Sequence, residues 1–245
     1  HLLAHAARPE QTTAVLGHID WPADMQRSPV MDYVCGPATL QFAYAFIPTL
    51  PALDFRFFYT SNISLKRQFL VEAADDNVAF DPAFTQAAFE DSELAMRLER
   101  RGLEIVYADD ARVTHEHYMD VAGFSRRERA VGRMAAVFYR KHPHVDDLIQ
   151  LRWIDDWTRA VDLLTPDVTR RAMLDELDAR SRALLLSIES LLESAVALAP
   201  SPSTSATLDT VLGVIFDLER TAGKVQGWYS GVVDVDKVAV AARLI

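Results

Sequence analysis

The 245-residue sequence contains a single cysteine, Cys35. An internal disulfide is therefore excluded, and the thiol reads as a structural one in a chain suited to a reducing compartment. Long apolar runs are missing as well. A membrane-spanning helix needs roughly 20 consecutive apolar residues, and the richest stretch, residues 184–199, is interrupted by Glu189 and Glu193. Positive charge is scarce, with 25 Lys and Arg against 35 Asp and Glu and a formal net charge of -10. A field of that sign repels phosphate backbones, so nucleic acid is not an expected partner, and an anionic ligand needs local help from arginines or a metal. No charged-then-apolar leader follows His1, and this start reads as a cut within a longer polypeptide. These absences predict a soluble, cytoplasmic protein without a membrane span.

What is present suffices to fold. Half of the residues are hydrophobic and 24% are charged, the balance of a globular chain whose length suits one core unit plus an appendage. Residues 1–144 mix short apolar runs with turn residues in α/β order, whereas residues 145–245 read as helix, so a boundary is expected near Pro143. In the first part, residues 55–59 are aromatic and strand-like. Residues 64–74 have helical spacing with Ser64 as the cap, and Phe80-Asp81-Pro82 reads as a loop. Leu94, Ala95 and Leu98 form one stripe of a helix over 91–101, and Gly102 stands where a left-handed stop belongs. Leu103, Ile105 and Tyr107 suit a strand that turns at Asp109-Asp110. Val113, His115 and His117 would share one face of a further strand. Phe124, Val131, Met134 and Phe138 then mark a helix ending at His142-Pro143, with His142 and His144 expected at the surface.

The second part has Ile149, Trp153, Trp157, Ala160 and Leu164 at helical spacing, followed by Leu177, Leu184, Leu191 and Leu198 every seventh residue. A Pro/Ser linker near 200–206 precedes a further apolar face of Leu208, Val211, Ile215, Leu218, Ala222 and Val225. The pattern predicts a helical hairpin or bundle; the heptad leucines could also form a homo-oligomer seam.

The acidic pair Glu90-Asp91 opens the helix over 91–101. Acids in a first turn are favoured by the macrodipole, worth about 0.3–1 kcal/mol each. Two adjacent carboxylates can also supply a general base, because one anion raises the proton affinity of its neighbour. Five segments in order, 60–67, 80–84, the Glu90-Asp91 helix, 102–107 and 111–115, resemble the family 2 glycosyltransferases of the GT-A fold. The likeness is close over residues 60–117 and looser back to residue 1.

The resemblance implies a partial GT-A-like mixed sheet with flanking helices in residues 1–144, the acceptor-side half of a catalytic domain. It implies inverting transfer of a sugar from a nucleotide-diphosphate-sugar donor to a glycan or glycolipid acceptor in polysaccharide biosynthesis. Asp91 would be the catalytic base and Glu90 would orient the acceptor. His115 would join a divalent cation, Mn or Mg, held by the donor diphosphate. The segment 60–67 would lie beside the pocket, making Asn62 and Arg67 candidate substrate-binding residues, and Arg126 or Arg129 could clamp the diphosphate. Trp21, Phe42, Tyr44, Phe57 and Phe58 could offer apolar faces to a sugar ring, although such aromatics more often belong to a core. The family's nucleotide-binding half, with its Asp-x-Asp motif, has no counterpart here, so the isolated chain is expected to be inactive. Two other classes stay open: a non-catalytic helical interaction module, and a metal-dependent hydrolase using His115 and His117.

Overall fold

The computed structural model describes residues 1–36, 40–73, 79–152, 154, 156, 167–197 and 205–242. The chain divides into two compact units: His1–Phe84 with Phe89–Met119, and Thr85–Ala88 with Asp120–Ile245. The first is mixed α/β and the second is helical.

The first unit is built from α1 (Leu2–Ala7), β1 (Thr13–Asp20), α2 (Pro29–Cys35), β2 (Ile63–Leu65), α3 (Arg67–Ala73), α4 (Glu90–Glu99) and β3 (Glu104–Thr114). The strands form a mixed sheet in the order β2-β1-β3, with β1 antiparallel to β2 and parallel to β3. Ala14, Val15 and Leu16 of β1 are fully buried, because a strand flanked on both edges and covered on both faces needs a continuous apolar run rather than alternation. Leu16 and Ile105 meet Phe57, Phe58, Phe69, Leu94 and Leu98 in one core. The predicted stripe of α4 thus faces the sheet, and Gly102 takes the left-handed conformation with φ 87°.

Several expectations are corrected. The central strand β1 is absent from the elements that the sequence predicts. Residues 55–59 form no strand; Phe55–Phe57 is a short 3-10 turn, opened by the Asp54 carboxylate, which accepts the Arg56 amide at 3.0 Å. Ser64 lies in β2 and does not cap a helix; its hydroxyl bonds the rings of His1 and His5 instead. Asp109-Asp110 makes no turn between two strands. β3 runs through it as a bulge, where pairing with β1 jumps from Gly17–Ala108 to His18–Arg112. The strand ends at Thr114, so His115 and His117 do not share a strand face.

The second unit holds α5 (Val121–Lys141), α6 (Asp146–Ile149), α7 (Asp167–Ala197) and α8 (Ser205–Ala242). The units part at residue 119 rather than near Pro143, because α5 packs along α8. His142 is buried against Phe138 rather than exposed, with ring centroids 5.0 Å apart. On α7, Ile188 is buried while Leu184 and Leu191 are half-buried. Trp153, Trp157, Ala160, Leu164, Leu198 and residues 200–204 of the Pro/Ser linker lie outside the described residues.

Helices α5 and α8 run parallel, as three contacts in the same order show: Phe124 with Phe216, Arg129 with Glu219, and Tyr139 with Trp228. Each carries Glu-Arg-x-x-Gly, at 128–132 and at 219–223. The two copies meet reciprocally. Arg129 donates to both carboxylate oxygens of Glu219 at 2.6 and 2.8 Å, and Arg220 donates to Glu128 at 2.8 and 2.5 Å. Both glutamates are 1% exposed, and a buried charge of this kind is tolerable only with its partner. The glycines let the backbones touch: a Cβ on Gly132 would run into the Arg220 carbonyl, and one on Gly223 into that of Arg129. Gly132→Ala is therefore expected to destabilise by about 1–3 kcal/mol through overpacking, although Gly to Ala in an open helix stabilises by about 1 kcal/mol. A lowered thermal midpoint bears this out, and a raised one refutes it.

Candidate active site

Phe89, at φ 64°, turns the chain left-handed immediately before α4. This turn sets Glu90 and Asp91 at the helix N-terminus, while Leu94, Ala95 and Leu98 anchor the helix from behind. A second clamp fixes the approach to this end. Arg97 grips both oxygens of the buried Glu93 at 3.0 and 2.9 Å and reaches the Ala79 carbonyl at the start of the preceding loop. Within the loop, Asp81 accepts the Ala83 amide at 2.8 Å, an Asx turn of the kind its sequence predicts.

Asp91 accepts the Ser92 amide at 2.7 Å, and free amides with the helix dipole favour its anion. Burial works against them and is the larger effect; the negative charge of Glu90 adds to it, and together they lift the Asp91 carboxyl from 3.8 to about 6. Oε2 of Glu90 is buried and has no hydrogen-bond partner among the described residues.

A second constellation occupies the far ends of β1 and β3. Asn62 is buried, and its amide donates to the carbonyls of His18 at 2.9 Å and Ala111 at 2.8 Å. Its own carbonyl accepts the Gly17 amide at 2.9 Å. Beyond this tie, Nδ1 of His18 bonds the Tyr107 hydroxyl at 2.6 Å and Nε2 lies 3.1 Å from Asp20. Half-buried rings follow in sequence of contact: Tyr44 packs on His18 and Tyr59, Phe42 on Tyr44 and Tyr59, and His115 between Phe42 and Trp21. The Tyr59 hydroxyl accepts the Ala43 amide at 3.1 Å. Burial raises its proton affinity, and the Asp91 charge raises it further, so that carboxylate lies within electrostatic reach of the ring cluster.

The structure therefore brings Glu90 and Asp91 together at one helix end. Asn62 has both amide hydrogens committed to carbonyls of β1 and β3. Arg67 is exposed as the first residue of α3. Arg126 is exposed on α5, in the second unit. Arg129, Arg133 and Arg140 each bind groups of the second unit, including Glu219, Gln86 and the Trp228 carbonyl. His115 follows β3, its amide donating to Asp20 O at 2.7 Å and its ring 5.6 Å from that of His117. Among the described residues no group of three or more His, Cys, Asp or Glu is placed to hold a metal ion.

Tyr59, His18 and Tyr107 are the site residues that the sequence does not single out. Tyr59 is hidden in an aromatic run that reads as strand, and His18 becomes visible only once β1 is assigned.

No family model, curated protein or solved structure matches the chain. No helix of the described residues is long and apolar enough to cross a membrane.

The raised carboxyl has a consequence for stability. The native state binds the Asp91 proton more tightly than the unfolded chain does, so this group's contribution declines as pH rises from 3.8 to about 6 and stays lost above. Asp91→Asn, which cannot charge, is expected to raise the thermal midpoint at pH 8, with the gain shrinking toward pH 4. A variant less stable than wild type at pH 8 would contradict the burial argument.

Proposed function

We propose that this chain carries the acceptor-side part of an inverting glycosyltransferase of the family 2, GT-A type, with Asp91 as the general base. The observation that carries the reading is the half-buried Asp91 carboxyl, beside Glu90, with its proton affinity lifted to about 6. A base titrating near the working pH combines a useful deprotonated fraction with real affinity for the proton it must take. An alcohol is a weak nucleophile until such a group accepts its proton.

In the reaction, Asp91 takes the proton of an acceptor hydroxyl as that oxygen bonds to the anomeric carbon of the donor sugar. The bond from that carbon to the diphosphate oxygen breaks in the same displacement, the nucleoside diphosphate leaves with the electron pair, and the configuration inverts. Glu90 acts on Asp91 through its charge and orients the acceptor. In this reading the Mn or Mg ion belongs to the donor complex rather than to a site built by these residues, with His115 as the one ligand that the resemblance offers it. The acceptor is a glycan or glycolipid. Arg67 is an exposed cation that the resemblance places beside the substrate pocket.

The test is an assay of the full polypeptide bearing these residues, over a panel of nucleotide-sugars. Asp91→Asn is expected to lower kcat by about 100- to 10,000-fold. The pH profile of the wild type should rise through a midpoint near 6, since the deprotonated carboxylate is the active form. Glu90→Gln removes the neighbouring negative charge and should move that rising limb to lower pH. Turnover undiminished in Asp91→Asn, or a limb that Glu90→Gln leaves in place, removes Asp91 from the role of base.

A further inference from the structure

Helix α1 has no apolar anchor. None of its residues is buried, and Leu2 and Leu3 are 87% and 84% exposed. A helix of 6 residues is too short to persist by itself, so the side-chain bonds that tie α1 to the segment Asn62–Lys66 decide whether it stays docked.

Those bonds form one relay whose direction is fixed from both ends. At one end, Nδ1 of His5 faces the Lys66 ammonium at 3.4 Å. An ammonium only donates, so Nδ1 accepts, and the proton of the neutral ring sits on Nε2, which donates to the Ser64 hydroxyl at 3.0 Å. At the other end, the Asn62 amide nitrogen is committed to the His18 and Ala111 carbonyls. Its Oδ1 is left to accept from Nε2 of His1 at 2.9 Å. The Ser64 hydroxyl closes the relay by donating to Nδ1 of His1 at 2.7 Å. Lys66 also donates to the Arg8 and Glu10 carbonyls at 3.1 and 2.7 Å, so its ammonium cannot turn away from His5 without breaking these bonds.

A second proton on His5 breaks the relay. It places an N–H where Nδ1 has to accept, and it sets two cations 3.4 Å apart. Burial, and after it the Lys66 charge, hold the ring below its ordinary value of 6.5, and the amino group of His1 adds to them. Of the other charged groups around α1, Arg8 is paired with Glu104 at 3.6 Å, His18 and Asp20 of β1 contact each other, and Glu10 and Arg67 are exposed.

We propose that α1 is a pH-released strap on the Ser64 side of the sheet, docked while His5 is neutral and let go when that ring takes up a second proton. The docked state binds this proton less tightly than the released one. Docking is therefore at full strength above the ordinary value of 6.5 and is lost as pH falls below it. Release also takes the His1 ring off Asn62, so the amide that spans the bulge loses the donor on its carbonyl end.

Amide and histidine-ring NMR of the full chain between pH 8 and pH 5 tests the strap. At pH 8 the amides of Leu2–Ala7 are expected at helical shifts, with His5 as the Nε2–H tautomer. Below 6.5 they should move to random-coil positions while the resonances of β1 and β3 keep their dispersion. His5→Gln, which cannot titrate, should abolish the step. Lys66→Gln removes the facing charge and should move it to higher pH. Helical shifts that wild type retains at pH 5, or random-coil shifts already present at pH 8, overturn the proposal. A step that persists in His5→Gln, or that Lys66→Gln leaves in place, does the same.

Discussion

The amide of Asn62 is the tie on which the first unit depends. At the bulge, β3 leaves its register with β1 for three residues, and ordinary backbone pairing cannot continue across the gap. The Asn62 side chain takes over, donating to a carbonyl of each strand while its backbone carbonyl receives the Gly17 amide. A side chain at position 17 would run into this amide and into the Ala111 carbonyl, so glycine there is a matter of space. Because the bulge is held open, the strand ends carry His18, Asp20, Tyr107 and His115 to one region.

At α4 two opposed effects set the chemistry of the carboxylates. The helix end and the Ser92 amide favour the anion, but first-turn electrostatics worth about 0.3–1 kcal/mol are too small to offset burial beside a second acid. Burial wins, and the outcome is a weak acid where helix propensity alone predicts an ordinary one. The Arg97–Glu93 pair behind it is the opposite case: a buried acid with its guanidinium in bidentate contact.

Elements with strong local signals were legible in the sequence. The stripe of α4, the left-handed Gly102 and the apolar face of α8 all follow from periodicity and glycine chemistry that tertiary contacts do not override. The central strand was not, because a run such as residues 13–20 is too short to separate strand from buried helix by period. The aromatic run at 55–59 misled for a related reason. Its β propensity reflects burial in general, and Phe57 and Phe58 reach the core from a 3-10 turn as well as from a strand. Of the site, the acidic pair could be read directly, whereas the commitment of Asn62 and the contact order of the rings depend on a bulge that no local signal announces.

The parallel pair α5 and α8 has a property of its own. Over Glu-Arg-x-x-Gly each helix presents the other with the same three residues in the same order, so this part of the contact has the self-complementarity of a two-fold dimer interface contained in one chain. Within that segment, shape and charge do not distinguish the internal partner from the same segment of another molecule. The connection between the helices favours the internal partner by the effective concentration it imposes, and α7 adds its own packing against α8. The segment joining Lys141 to Ser205 therefore sets the effective concentration at which the internal partner competes with the matching segment of a second molecule.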